Sequence, residues 1–401
     1  MSLLRILHVV PYFESAWAYG GIPRLATTMV RGLVRRGHEV TVCTTDACDE
    51  RHRAGHAPDA PVDGMVVRVF PNLSNTLAYH WQMFTPVGLF TFLRRHVREF
   101  DIAHLHAYRN LPGLLAAHRL VRAGIPYVLS PNGTAPLIER RIAAKRVFDA
   151  LGGKRVLEQA ARVVAVSEAE RAQLLELRVP AGKIVVVPNP IDEQEFDHPT
   201  DPRSFRATWN PGGGPLVLFL GKLTPRKGVD VAVRALTHVR TPATRLVIAG
   251  NDMGAGASVQ AIVEQCGLRN RVVRTGLLRG RERLAAMAAA DVVVYPARHE
   301  IFGLVPVEAV LSGTPVIVCG DSGCGEVIGR IGGGHIVPFG DPRLLAGAID
   351  SILGSPVLWK TRAQAAGARA RILFGSSVIC EQLERVYSEL QPRGSVERRT
   401  A

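Results

Sequence analysis

The 401-residue chain has no run of about 18 uncharged apolar residues, the length that a helix needs to cross a bilayer. Its first strand-like stretch, Leu3 to Val10, carries Arg5 and His8 and leads into Pro11 without a small-residue cleavage site, so no signal peptide is expected. The cysteines Cys43, Cys48, Cys266, Cys319, Cys324 and Cys380 form no C-x-x-C pair and have no histidine at metal spacing. They read as reduced thiols, which predicts a cytoplasmic protein without a bound metal. No G-x-G-x-x-G follows the first strand, which argues against a dinucleotide oxidoreductase. No helix-turn-helix, zinc-finger or RNA-stacking motif is present, so no specific nucleic-acid partner is expected. Lysine is scarce as well: only 6 of the 49 basic residues are Lys, which singles out Lys222 and Lys227.

What the chain does have is an excess of positive charge, +14 at pH 7, which attracts polyanions in general, phosphate-bearing substrates among them. It also has an alternation of apolar β-rich runs with helical patterns, each run long enough for a buried parallel strand. Strands are expected at Ile6 to Val10, Val40 to Thr44, Val66 to Phe70, Ile102 to Leu105, Tyr127 to Ser130, Val163 to Val166 and Ile184 to Val187. After a proline-rich break they resume at Leu216 to Leu220, Arg245 to Ala249, Val272 to Thr275, Val292 to Tyr295, Val316 to Val318 and Gly334 to Val337. This is a doubly wound α/β rhythm given twice: two Rossmann-like domains, expected to face a central cleft. The expected bounds are 1–195 for the first domain, 196–215 for a linker and 216–375 for the second. A helix at 376–391 would return to the first domain, and a tail at 392–401 reads as disordered.

Two segments carry chemistry. In His299-Glu300-Ile301-Phe302-Gly303-Leu304-Val305-Pro306-Val307-Glu308, two carboxylates lie eight residues apart across a strand-loop-helix junction. Glu300 falls in the loop and Glu308 in the first turn of a short helix that Gly313 ends. The backbone N–H groups of Phe302, Gly303 and Leu304 would stand near a helix N-terminus, suited to phosphate or sugar oxygens. Such a pair alone reads equally well as a solvated face; the flanking Phe-Gly-Leu and Gly-Thr-Pro favour a site. In Gly221-Lys222-Leu223-Thr224-Pro225-Arg226-Lys227-Gly228, a buried strand ends in Gly and three cations follow within six residues. Cations so placed bind a diphosphate through charge-assisted hydrogen bonds worth about 1.5–3 kcal/mol each. They would also stabilise a departing nucleoside diphosphate without a metal.

Gly-Lys-Leu-x3-Lys-Gly, Glu-x7-Glu and Gly-Thr-Pro-Val together resemble glycosyltransferase family 4, retaining enzymes of the GT-B fold. The first half joins in with Gly20-Gly21-Ile22-Pro23-Arg24, Asp101 to His106, Ser130 to Gly133, Ser167 to Glu170 and Val187 to Asp192, so residues from about 3 to 390 are covered. The resemblance implies a sugar transferred from a nucleotide-diphosphate donor to a glycan or polyprenyl-linked acceptor in cell-envelope or exopolysaccharide assembly. It implies that Lys222 and Lys227 bind the diphosphate, Glu308 the ribose and Glu300 the sugar hydroxyls. Gly20 and Gly21 would let a loop approach the phosphates with no Cβ in the way, with Arg24 beside them. Asn251, Thr275 and Leu277 would line the base pocket. Two departures stand out: Lys222 where the family usually has Arg, which loses the bidentate fork, and Asn132 where it often has His. Asn132 can donate a hydrogen bond to a sugar hydroxyl but cannot become cationic.

The expected catalytic set is Glu300, Lys222, Lys227 and His106. His106 ends the run Asp-Ile-Ala-His-Leu-His and reads either as an ionisable cleft residue or as a structural strand-end histidine; His104 reads as buried. The stretch from Tyr79 to Arg98 sets aromatics beside a basic cluster, which Arg140, Arg141, Lys145 and Arg146 would extend. It reads as a helix packed on the first sheet with a wet basic face, or as a contact with the inner face of an anionic membrane. Two other readings stay open: a nucleotide-sugar 2-epimerase of the same fold, which needs further catalytic carboxylates, and a non-catalytic polyanion-binding protein.

Overall fold

A computed structural model describes residues 3–14, 16–55, 64–138, 142–198 and 200–391. Arg140, Arg141 and the tail 392–401 lie outside the described residues. The chain divides into two compact units: one of residues 1–190 and 376–401, the other of residues 191–375. No helix among the described residues is long and apolar enough to cross a membrane.

The first unit holds seven strands, β1 (Arg5–Val9), β2 (Glu39–Thr45), β3 (Met65–Phe70), β4 (Ile102–His106), β5 (Tyr127–Ser130), β6 (Arg162–Ala165) and β7 (Ile184–Val186). Their order in the sheet is β3-β2-β1-β4-β5-β6-β7, and every pairing is parallel. The second unit holds β8 (Leu216–Leu220), β9 (Arg245–Ala249), β10 (Val272–Gly276), β11 (Val292–Tyr295), β12 (Val316–Cys319) and β13 (Gly334–Val337). These run β10-β9-β8-β11-β12-β13, again all parallel. Helices return the chain between parallel strands and cover both faces, which is why runs such as Leu216 to Phe219 are buried on either side. In each unit the order reverses beside a central strand, between β1 and β4 and between β8 and β11. Successive crossovers leave such a pair on opposite sides, and a crevice opens at its carboxyl ends.

The segment 196–215, expected as a linker, instead carries the helix Pro202–Trp209 of the second unit. Asp201 caps it by accepting the Arg203 N–H at 2.9 Å, and Pro202 supplies the fixed φ that suits a first helical turn. Phe205 is buried, and Arg206 donates to the Ala289 carbonyl and to Asp291, both at 2.8 Å. Proline there starts a helix rather than a flexible tether.

Candidate active site

β8 and β11 lie side by side, Phe219 opposite Val294, and the segments after the two strands meet at their carboxyl ends. After β8 the chain turns through Gly221 and Lys222 into the 3-10 turn Pro225–Lys227, which Gly228 ends at φ 66°. A Cβ at position 228 would stand 2.1 Å from the Pro296 carbonyl oxygen, so glycine alone fits both the backbone and the space. That turn delivers the Lys227 side chain to β11. Only 7% exposed, Lys227 donates from Nζ to the Tyr295 hydroxyl and to Glu300 Oε2. Tyr295 Oη donates in turn to Glu300 Oε2 at 3.1 Å. Burial alone would raise the Glu300 pKa, but the charges of Lys227 and Arg226 and the hydrogen bonds from Lys227 and Tyr295 bring it down to about 2. Glu300 is therefore a carboxylate at any physiological pH. Its carbonyl accepts from Ser322 Oγ at 3.0 Å and from the Cys324 N–H at 2.7 Å, so the main chain is held as firmly as the side chain.

Neighbouring loops are laced to this one. The N–H of Gly221 donates to Ala249, that of Leu223 to Asn251 and that of Gly250 to Gly276, at 2.8 to 2.9 Å. Lys222, Asn251, Thr275 and Leu277 thereby gather at the carboxyl ends of β8, β9 and β10. Gly303 (φ 79°) opens the helix Leu304–Leu311, and a Cβ there would lie 2.5 Å from Cys324 Sγ. The Phe302 side chain is 1% exposed and packs edge-on against Phe374 at 5.2 Å, which leaves for a ligand its main chain, the part expected there. Glu308 is the fifth residue of that helix rather than part of its first turn, because the helix begins at Leu304. It is buried and paired with Arg283, whose other terminal nitrogen holds Glu195 at 2.6 Å.

In the first unit Gly20 (φ 101°) precedes the helix Gly21–Arg35, and the Arg24 guanidinium lies over the Trp17 ring at 5.2 Å. His106 ends β4, one residue past the expected end at Leu105, and is not an ionisable cleft group. It is 1% exposed, and burial lowers its pKa to about 3, so it is neutral. His8, opposite His104 in the β1–β4 register, joins the two β4 histidines in a stack. His8 Nδ1 and His106 Nε2 share a hydrogen bond of 3.0 Å; His104 bonds the Tyr387 hydroxyl at 2.6 Å and Ser130 Oγ at 2.7 Å. Three ring nitrogens within 4.8 Å of one another meet a metal ion's requirement for proximity. Their geometry does not suit one: both His104 nitrogens are bonded, and its ring is 8° from parallel with His106, so in-plane lone pairs run side by side rather than converging. Asn132 sits in a left-handed turn (φ 52°) after β5. Its Nδ2 donates to the Ser130 carbonyl at 3.2 Å while Oδ1 is buried without a partner. Nδ2 keeps a second hydrogen, so the donation expected stays open beside acceptance at Oδ1.

Residues 19–195 match the family described as Glycosyltransferase Family 4, and residues 201–371 the one described as Glycosyl transferases group 1. A D-inositol 3-phosphate glycosyltransferase of Kineococcus radiotolerans is 30% identical, with 92% of this chain and 90% of that one covered. The chain belongs to glycosyltransferase family 4. Another relative of this glycosyltransferase is a GDP-mannose-dependent alpha-mannosyltransferase of Mycobacterium tuberculosis, 28% identical over 93% of this chain and 94% of the relative. Anabaena HepE, solved with UDP and glucose, shares its fold with a TM-score of 0.75 at 20% identity, over 96% of this chain and all of that one.

Sequence reasoning about this glycosyltransferase missed Tyr295, Arg283 and Glu195. Tyr295 had a signal, as the last residue of the strand that leads into Glu300. Arg283 and Glu195 had none, because one is the second of two arginines at the start of a mixed helix and the other an acid in a short turn.

Proposed function

We propose that this glycosyltransferase moves a hexose-type sugar from a nucleoside diphosphate to a glycan or lipid-linked acceptor, with retention at the anomeric carbon. The observation that carries the reading is the Lys227–Glu300–Tyr295 cluster at the β8/β11 switch point. HepE, of the same fold, is known with UDP-glucose. Lys227 has three N–H donors, enough to keep Glu300 and reach a diphosphate oxygen as well. Lys222 and Arg226 would add charge on the same turn, so the chain's own cations do what a metal would otherwise do. Glu300, locked as a carboxylate, accepts from sugar hydroxyls and serves neither as an acid nor, with Lys227 on its oxygen, as a free nucleophile. In the proposed step the bond from C1 to the phosphate oxygen breaks and a bond to the acceptor oxygen forms on the same face. The acceptor's proton passes to the departing phosphate.

A thermal-shift screen with EDTA against UDP, GDP, ADP, TDP and their sugars tests this. One nucleoside diphosphate should raise Tm selectively, by linkage to the folded state. No shift with any at millimolar concentration would sink the donor site, and a product of inverted configuration would sink retention. Release of a free epimer without acceptor would favour the epimerase reading.

A lipid-linked acceptor implies a bilayer nearby, and the helices Asn75–Trp81 and Leu89–His96 present a surface suited to one. Leu73, Trp81, Met83, Val87 and Phe90 are 42–73% exposed, and the antiparallel Asn72–Pro86 bridge joins the segments that carry Leu73 and Val87. Arg119 lies over the Phe90 ring at 5.6 Å, and Arg94 follows one turn later. The local acids are engaged: Glu50 with His80 at 3.1 Å and Glu99 with His96 at 2.8 Å. Apolar side chains ringed by Arg fit an anionic headgroup layer. The protein is expected to float with phosphatidylglycerol vesicles and not with phosphatidylcholine, and Phe90→Ser with Trp81→Ser to abolish flotation. Equal behaviour with both lipids would end this part of the proposal.

A further inference from the structure

We infer that Glu170 is a positioning residue for the transferase reaction: its carboxylate ties together the carboxyl ends of β5 and β6 and so holds the turn that aims Asn132 Oδ1 at a substrate hydroxyl. The inference rests on the reading that Asn132 faces the substrate.

The local sequence is Ser167-Glu168-Ala169-Glu170. Ser167 caps the helix Glu168–Glu176, its Oγ accepting the Glu170 N–H at 3.2 Å. In a capping box the acid at the third helical position turns back to the N–H of the capping residue. Glu170 reaches elsewhere. One oxygen accepts the Val166 N–H at 2.9 Å, just past β6, and the other accepts the Gly133 N–H at 2.6 Å, in the turn after β5. The carboxyl group is completely buried, and a local capping residue has become a tie between two strand ends.

The turn it ties is a costly one. Asn132 (φ 52°) and Gly133 (φ 76°) are left-handed in succession, and Ala107, whose N–H donates to the Ser130 carbonyl at 3.0 Å, is left-handed as well (φ 60°). Thr134 braces the turn, donating to the Pro131 carbonyl at 2.6 Å and accepting the Tyr108 N–H at 2.7 Å. All of this leaves Asn132 Oδ1 buried and unpartnered. Strain and an unpaired acceptor kept at a strand's carboxyl end are features that a binding site retains and a merely structural turn sheds.

Burial pushes the Glu170 pKa up to about 7, against the pull of its two backbone N–H bonds. Proton uptake near neutrality therefore removes the charge that holds Gly133. The other ionisable groups nearby are Glu168 and Arg171 on its own helix, which pair with each other at 3.6 Å, and His104 and His106 of β4, which burial keeps neutral.

The test measures kcat against pH for the wild type, Glu170→Gln and Asn132→Ala, with nucleoside diphosphate binding followed alongside. Expected are a wild-type acid limb near neutrality, its loss in Glu170→Gln with kcat down about tenfold above it, and unchanged nucleotide affinity in both variants. If Asn132→Ala is impaired while Glu170→Gln keeps the wild-type rate and limb, the inference falls and the proposed function stands. If Asn132→Ala has wild-type kinetics, the aim of the turn is wrong and the inference falls with it. Should Glu170→Gln not fold, the Gly133 amide resonance in glycine-labelled wild type decides. It is expected to titrate near neutrality, and a flat shift from about pH 5 to 9 overturns the proposal.

Discussion

Lys227→Ala and Glu300→Ala are each expected to lower kcat/KM by roughly 10- to 100-fold, about 1.4–3 kcal/mol of transition-state stabilisation. The double variant should lose little more than the worse single one, because the two side chains act on one another. Removing Lys227 takes from Glu300 its main counter-charge and leaves a buried carboxylate with the Tyr295 hydroxyl at 3.1 Å and Arg226 more remote. Its pKa then climbs from about 2, and a second acid limb, that of Glu300, joins the one expected from Glu170 in the rate profile. The stability of the second unit should respond with the same sign. A depressed carboxylate pKa stabilises the fold above the unfolded value and loses that contribution as pH falls towards about 2, so Lys227→Ala should flatten the acid side of the melting curve. Additive kinetic losses would mean that the two residues serve separate parts of the substrate.

Arg283→Met is expected to produce the largest loss of stability, about 3–5 kcal/mol, which in a unit of this size is a fall in Tm of roughly 6–20 °C. Arg283 is 3% exposed and binds Glu308 through one terminal nitrogen and Glu195 through the other. Methionine fills the volume but takes away the cation that two carboxylates share, one of them 2% exposed. Arg283→Lys should recover little, because a single ammonium cannot span both acids as a planar fork does. Arg283→Met/Glu308→Gln should recover part of the loss, since it removes the buried charge along with the cation that faced it. A shift in Tm of only a degree or two for Arg283→Met would show that water reaches the pair.

The strands were legible because a parallel strand buried on both faces must be a short apolar run, and β5, β8, β9, β11 and β13 begin and end where those runs do. Three strands have absorbed a polar end residue, Glu39 in β2, His106 in β4 and Arg162 in β6, whereas β3 and β12 gain the apolar Met65 and Cys319 and β7 stops one residue early at Val186. The polar side chains face out or into a neighbour, but their backbones still belong to the ladder. The Lys227–Glu300 meeting was half legible. Both motifs stood out as strand ends, but that β8 and β11 are neighbours is a property of strand order, which no local pattern carries. His8 beside His104 was hidden for the same reason, 96 positions apart in the chain and directly opposite in the register. The helix at 202–209 was missed although Asp201-Pro202 announces it, because proline was weighed as a breaker rather than as a first-turn residue.

The first unit is interrupted: it runs to Pro190 and resumes only at Ser376. The resumed helix, Ser376–Glu389, bonds His104 through Tyr387 and Arg36 and His38 through Glu384, and it fits Cys380 against Gly32 so closely that a Cβ there would stand 2.4 Å from the sulfur. On the ribosome this reverses the order of completion. The unit encoded in the middle emerges whole and is free to close, while the one that was started first waits with an uncovered sheet face until the helix Ser376–Glu389 leaves the exit tunnel. A stalled or truncated message would release a finished second unit tethered to an unfinished first one, a client for chaperones rather than half of an enzyme.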